Sequence, residues 1–520
     1  MVRNTPTPSS YDCKTSECST PDRDPKGTSR HGDSDMNTRP AIVWFRDDLR
    51  LDDHPALQRA VASGRPVVAL WLLDEVSPGL RPLGGAARWW LDRSLRSLAR
   101  SLEARGSRLV LRRGPASLVL PAVVEETGAA AVYWNRRYGA AEVAIDRDLK
   151  ADLAGRGLEV ASFHGSVLFE PHAIRTATGG PYRVFTPFWR ACRAGPPPRA
   201  PHEAPERIPT PAQAIPSDDL DGWALTPRAL DWSGGIAAAW NPGEAGAAER
   251  LATFLREGIY SYSEDRDRPD REAVSRLSPH LRFGEISPFR VWAAVDAVAA
   301  ERPTASVEKF RAELGWREFC HHLLFHVPDL ETRSFQPRFD AFAWSDDPAF
   351  LAAWQRGRTG YPLVDAGLRQ LWRTGWMHNR VRMVVASFLA KHGLIDWRHG
   401  ERWFWDTLVD ACPANNPAGW QWVAGCGADA APYFRIFNPI TQSETFDPDG
   451  AYIRRFVPEL AHLPTTAIHA PWKAPASVLA SAGVRLGETY PRPIVDHAVA
   501  RARALDAFAA TAVGQSEDVS

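Results

Sequence analysis

The sequence predicts two domains, an α/β domain built on a doubly wound parallel (Rossmann-like) sheet and then an all-α domain, and three observations carry that prediction. Short apolar runs near the N-terminus alternate with helical patterns, as in a parallel sheet wrapped by helices. A stretch dense in Pro, Gly and Asp runs from about residue 196 to 242 with little periodicity, which reads as a connection. Beyond it, to roughly residue 490, helical periodicity dominates and strand alternation is missing. At 520 residues, 44% hydrophobic and 24% charged, the chain is long enough for two large cores.

Taken in order, residues 1–38 hold almost no large apolar side chain, cannot repay the entropy of ordering, and are expected to be disordered; Met36 is a candidate start. Strands are expected at Ala41 to Phe45, Val67 to Leu73, Leu109 to Leu111, Ala131 to Trp134 and Val160 to Phe163. Helices are expected at Ala86 to Arg105 and Pro115 to Glu126. The α/β domain then occupies 39–170, a linker 171–240 and the helical domain 241–500. Pro491 to Ala510 reads as a last amphipathic helix, its end and a tail filling 501–520. After the first strand comes Arg46-Asp47-Asp48-Leu49-Arg50-Leu51-Asp52-Asp53-His54 rather than G-x-G-x-x-G, which argues against a nicotinamide-type pyrophosphate turn.

Several function classes drop out. Net charge is zero, so any nucleic-acid affinity must come from a local patch. No apolar run approaches the roughly 20 residues that cross a bilayer, and no signal-type core opens the chain, so an intracellular, cytoplasmic protein is expected. Six cysteines without a C-x-x-C pair argue against a disulfide framework and against zinc or iron–sulfur. His322 and His326, at i and i+4 beside Cys320 and His321, lack matching carboxylate or thiolate partners and read as packed or solvated helix histidines, so no metal is expected. The 21 tryptophans mostly fill core, yet they also supply material for base stacking and electron hopping.

The most informative segment is Gly375-Trp376-Met377-His378-Asn379-Arg380-Val381-Arg382-Met383. One helix there would put Trp376, Asn379, Arg380 and Met383 on one face. An indole, an amide, a guanidinium and a thioether suit an aromatic, hydrogen-bonding, anionic ligand better than a core. Upstream, Ser275-Arg276-Leu277-Ser278-Pro279 places Ser278 as an N-cap with Pro279 at the first helical position, and Ser287-Pro288 repeats the device. Such a start can hold a pyrophosphate or can be a plain helix beginning.

These segments, with Gly360-Tyr361-Pro362, Trp420-Gln421-Trp422 and the WFRDDLRLDDHPAL run of 44–57, resemble the DNA photolyase and cryptochrome family over about residues 41–490. The likeness is strongest to its bacterial members that repair cyclobutane pyrimidine dimers. It implies an antenna in the α/β domain and FAD, active as the reduced anion, in the helical domain. FAD contacts would come from Tyr262, Ser275, Arg276, Leu277, Ser278, Phe310, the Arg382 and Asp410 pair, and Asn416 facing flavin N5. Val274 stands where the family has Thr, and Cys412 where it commonly has Asp. Asn416 brings neither a titratable proton nor a charge, whereas plant cryptochromes generally carry Asp there.

The same resemblance implies an electron path of Trp344, Trp397 and Trp420, with Trp420 nearest the flavin and Trp344 nearest solvent. The run Glu313-Leu314-Gly315-Trp316-Arg317-Glu318-Phe319 resembles a motif whose Glu and Trp reach the substrate. A carboxyl desolvated by aromatic walls holds its proton more tightly, so Glu313 is expected to donate to a pyrimidine carbonyl; an i,i+4 pair with Arg317 is the alternative. Trp316 and Trp422 would wedge a flipped-out dinucleotide, and Arg266 and Arg380 would meet phosphates or the pocket rim. Asn379 and Met383 stand where enzymes for the other major photoproduct need histidines for proton transfer, which favours cyclobutane dimers.

The implied activity is light-driven repair of UV-damaged DNA by a monomer with no obligatory protein partner, nucleoid-associated when bound to DNA. The alternative is a blue-light receptor of cryptochrome type without repair activity, and a nicotinamide-linked flavoprotein lacks its second dinucleotide motif. Glu142 matches a folate-contacting position although Ala141 replaces the usual Asn before it, so the antenna reads first as a reduced folate (methenyltetrahydrofolate) and second as a deazaflavin.

Overall fold

A computed structural model describes residues 38–227, 229–429 and 434–517. The extension expected to be disordered lies, up to residue 37, outside the described residues. Strands β1 (Ala41–Phe45), β2 (Val67–Leu73), β3 (Leu109–Arg113), β4 (Ala131–Asn135) and β5 (Glu159–Phe163) form one parallel sheet in the order β3-β2-β1-β4-β5. The sheet is doubly wound as expected, and each strand lies within two residues of its sequence-read bounds. β1, β2 and β4 are buried along their whole length. Ala41, Val43 and Phe45 enter the core on one face, Ile42 and Trp44 the core on the other. Burial on both faces is why these strands read as continuous apolar runs.

The Arg46 to His54 run behind β1 ties the domains together. Arg50 is fully buried and donates to the carbonyls of Asp53, Gly165 and Gly284 at 2.9 Å each. His54 Nε2 lies 3.0 Å from Asp48 Oδ2. Burial works to raise the Asp48 pKa, but His54 and the Arg46 amide outweigh it and hold the carboxyl well below its usual range. From the helical domain, Arg282 reaches Asp47 at 2.8 Å and Arg290 reaches Asp52 at 2.7 Å. Gly284 takes φ 63°, and a Cβ there would sit 2.2 Å from the Asp47 carbonyl, so the two backbones meet too closely for a side chain.

Beyond β5 the described residues form no further sheet. The stretch expected to be linker is partly built in: helix Phe185–Ala194 lays Phe185 against Trp316 at 3.9 Å and Phe188 against Phe319 at 5.3 Å. His322 and His326 pin that stretch, His322 Nε2 accepting from Tyr182 N at 3.0 Å and His326 Nε2 lying 3.2 Å from Pro171 O. The last helix, His497–Glu517, starts later than its pattern suggested. Pro491 and Pro493 cannot extend a helix, and Asp496 Oδ1 accepts from Ala498 N and Val499 N. Among the described residues no helix is long and apolar enough to cross a membrane.

Two local expectations fail on turn chemistry. Gly375 to Met383 is not one helix: helix Pro362–Thr374 ends on Gly375 at φ 65°, and a new helix, Asn379–Ser387, begins after His378, whose Nδ1 accepts from Arg380 N. Trp376 therefore leaves the shared face and packs with the α/β-domain core. Ser278 is the first residue of helix Ser278–Arg282 rather than its cap, and its hydroxyl accepts from the Trp376 indole at 3.3 Å. Ser287 does cap helix Pro288–Glu301, accepting from Arg290 N at 2.9 Å.

Candidate active site

A cavity of about 620 Å³ opens in the helical domain, walled by helices Ala305–His326, Asn379–Ser387 and Asn415–Ala424. The split at Gly375 positions one wall, because the restarted helix presents Asn379, Arg380, Arg382 and Met383 inward together. Arg382 Nη2 meets Asp410 Oδ2 at 2.8 Å while its Nε donates to Met377 O at 2.8 Å. Asp410 is buried, and its Oδ1 has no protein partner. The pair thus offers an unused acceptor beside a fixed cation, which suits a planar ring edge bearing both N–H and C=O.

Asn416, from helix Asn415–Ala424, spends both N–H bonds on Glu401, donating from Nδ2 to Oε1 at 2.8 Å and to the main-chain O at 3.0 Å. Trp420, from the same helix, also lines the cavity, and its indole N–H lacks a partner. Its ring meets Phe404 edge-on at 5.0 Å and occupies the space a Cβ at Gly400 would need. Trp397 is fully buried and Trp344 half-buried against Phe342, so exposure rises toward Trp344. Neither lines the cavity.

On the opposite side Glu313 lines the cavity in ionic company. It pairs with Arg266 and lies 3.5 Å from Lys309. Arg380 pairs in turn with Asp267 at 2.7 Å, continuing a row of alternating charge. The expected aromatic isolation of Glu313 is therefore corrected: cations flank it. Arg317, the alternative partner, instead reaches Glu318 at 3.1 Å and the Ser166 carbonyl at 2.8 Å. Glu318 is fully buried, accepts from the amides of Leu168 and Phe169, and is pushed up to about 7 by burial, with Arg317 opposing. Trp316 lines the cavity stacked on Phe185, and Trp422 lines it with its indole donating to Asp429 O at 3.2 Å.

A third stretch of wall carries Tyr262, Ser275, Leu277, Ser278 and Phe310. Tyr262 and Phe310 meet edge-on at 5.4 Å, and burial raises the Tyr262 phenol pKa. Ser275 Oγ accepts weakly from Leu277 N at 3.4 Å. Arg276 does not line the cavity; its guanidinium lies between Trp240 and Trp376 at 4.5 and 5.1 Å. Glu142 reaches the cavity while accepting from Gly139 N at 3.0 Å. The wall chemistry fits FAD: Asp410 Oδ1 and Arg382 await a polar ring edge, Asn416 stands beside them, and the Ser275 to Ser278 stretch brings hydroxyls.

Sequence reading missed four groups here. His321 lines the cavity and is pulled down to about 3 by burial and Arg317, and Cys320 beside it is pushed up to about 12 by burial. His378, the helix cap, is pulled down to about 4 by burial. Glu401, the partner of Asn416, carried no local signal because its contacts come from distant segments.

Two family models match the chain. One described as DNA photolyase matches residues 41–211, and one described as the FAD binding domain of DNA photolyase matches residues 310–510. The chain is 53% identical over 475 residues to the deoxyribodipyrimidine photo-lyase of Agrobacterium fabrum, covering 91% of this chain and 98% of that one. It is 39% identical to cryptochrome-1 of Arabidopsis thaliana, covering 90% of this chain and 70% of the plant protein. Its fold matches the crystal structure of a bacterial class III photolyase from Agrobacterium tumefaciens with a TM-score of 0.89 at 52% identity, covering 93% of this chain and 99% of that one.

Proposed function

The chain belongs to the DNA photolyase family, and on that premise we propose that it is a deoxyribodipyrimidine photo-lyase that uses light to split cyclobutane pyrimidine dimers in DNA. One observation supports this over light sensing alone: a single cavity brings the flavin-type wall of Arg382, Asp410 and Asn416 together with Glu313, Trp316, Asn379, Met383 and Trp422. FAD held by Arg382, Asp410 and Asn416 would supply light-driven one-electron chemistry, which splits the two cyclobutane bonds with no net redox change.

The residues do the rest. Arg382 and Asp410, a mutually neutralised pair of which only Asp410 is buried, would anchor one polar edge of the cofactor. Trp316 and Trp422 offer π faces to an extruded dimer, which stacks poorly in duplex DNA and costs less to flip than normal bases. Arg266, Lys309 and Arg380 supply cations beside the cavity, sequence-blind contacts that place the lesion while the net charge stays zero. Glu313, paired with Arg266, can exchange that partner for the dimer and orient a pyrimidine edge when Arg266 turns to phosphate. Trp420 in the cavity wall, buried Trp397 and half-buried Trp344 would form the electron route between the cofactor and the surface. For the antenna we favour a reduced folate reached through Glu142, with a deazaflavin second.

The test is blue-light illumination of the chemically reduced protein over an oligonucleotide carrying one thymine dimer, following recovery of thymine absorbance. Recovery that needs light and disappears in Glu313→Ala is expected. FAD binding and photoreduction without recovery would overturn the repair reading and favour a receptor.

A further inference from the structure

Arg81 lies in the α/β domain, in the loop between β2 and helix Gly85–Glu103, yet its guanidinium is forked onto Glu401 of the helical domain. Nη1 donates to Oε1 at 2.7 Å and Nη2 to Oε2 at 2.9 Å. The loop is held firmly. Arg81 stacks on the Trp405 ring at 4.0 Å, the Trp405 indole donates to Pro82 O at 2.9 Å, and Gly85 N donates to Asp406 Oδ1 at 2.8 Å. Glu401 is buried, with 3% of its side chain exposed. Two more carboxylates face this point: Glu331, 3.5 Å from Arg81, and Glu142 from helix Ala140–Gly155, which has Arg137 at 3.9 Å, so Arg81 is the cation that Glu401 and Glu331 share.

Because both N–H bonds of Asn416 end on Glu401, the amide can present only its oxygen elsewhere, and Asn416 lines the cavity. A turned amide would set its oxygen against two acceptors. We propose that Arg81 is a positioning residue for the flavin: by holding Glu401 as a pure acceptor it locks the Asn416 oxygen toward the cofactor and selects the reduced form. A reduced flavin carries an N–H at N5 that this oxygen can accept, whereas the oxidised ring offers a bare nitrogen that it repels. The proposal rests on the reading that FAD occupies this cavity.

Loss of Arg81 would leave a buried carboxyl without its counter-charge, and such a group takes up a proton. A protonated carboxyl there could donate to the Asn416 oxygen, leaving only the Glu401 main-chain carbonyl to oppose a turn of the amide. The experiment measures dark reoxidation in air of photoreduced flavin in wild type, Arg81→Met, Arg81→Lys and Glu401→Gln from pH 6 to pH 9, with FAD content and dimer repair on the same preparations. Arg81→Met should reoxidise about tenfold faster at the acid end, with the gap closing toward the alkaline end. Glu401→Gln should be faster by a similar factor at every pH, since it has no proton to lose. Arg81→Lys should return the rate most of the way.

Wild-type rates in Arg81→Met across the range overturn the proposal, as does an acceleration that Arg81→Lys fails to relieve. If Arg81→Met sheds its FAD, the other two variants decide: a fast Glu401→Gln beside a near-normal Arg81→Lys supports the proposal, and an unchanged Glu401→Gln overturns it. A wild type that binds FAD yet repairs nothing leaves the positioning result standing and removes only the repair reading. A wild type without FAD removes both.

Discussion

Two buried polar clusters of this molecule use similar residues to opposite ends. Behind β1, Arg46, Asp48, Arg50, Asp53 and His54 close on each other and on carbonyls of both domains. Arg46 Nε and Asp53 Oδ2 are left over there, but neither residue lines the cavity. Around the cavity, Arg382, Asp410 and Trp420 are equally fixed, yet Asp410 Oδ1 and the Trp420 N–H remain unmatched in its wall. A cluster that closes on itself is a fastener. One that is rigid and still leaves atoms over at a cavity is prepared for a ligand.

That contrast breaks most visibly at Arg50. Arg50→Met would strip hydrogen bonds from three buried carbonyls in both domains, a cost of about 3 kcal/mol or more. A large fall in the denaturant midpoint is expected, with normal FAD content in whatever remains folded. A midpoint close to wild type would mean the β1 cluster is no fastener. Asp410→Ala is the counterpart: FAD retention should fall about tenfold or more while the midpoint of the FAD-free protein stays close to wild type. If the two midpoints fall alike, the distinction between the clusters fails.

Trp420→Phe gives a finer cut within the open cluster. The smaller ring fits beside Gly400 and Phe404, so FAD should be kept and dithionite-reduced protein should still repair dimers, while blue-light reduction of the oxidised flavin drops sharply. Photoreduction at the wild-type rate would take Trp420 out of the electron path.

How far the sequence could be read follows the same division. β1, β2 and β4 were legible because burial on both faces makes an apolar run, which is a local property. The inward residues of helix Asn379–Ser387 were legible by motif, but Trp376 was misplaced because Gly375 and His378 break the helix and periodicity does not register a left-handed turn. What closes each charge was not legible. Glu313 finds Arg266 from 47 residues away, and Glu401 finds Arg81 from 320. Spacing could offer only Arg317, which the buried Glu318 and the Ser166 carbonyl claim.

Lys391 belongs to neither kind of cluster and gives the smallest test. It is buried, donates to the Arg435 carbonyl and sits 4.2 Å from the Phe434 ring centre, with no carboxylate paired to it among the described residues. Burial pulls its amine from 10.5 down to about 7. Between those values the unfolded chain binds more protons than the folded one, so this group's contribution to stability rises with pH and is least favourable at and below neutrality. Lys391→Met removes the buried charge and should stabilise the protein by about 1 kcal/mol at neutral pH, the gain offset in part by the hydrogen bond lost at Arg435. Raising the pH toward the ordinary lysine range should erase that advantage, as read from denaturant midpoints of both proteins at each pH. An advantage that stays constant with pH would mean that Lys391 binds the same number of protons folded and unfolded, so that its amine stays charged and reaches water in the folded protein.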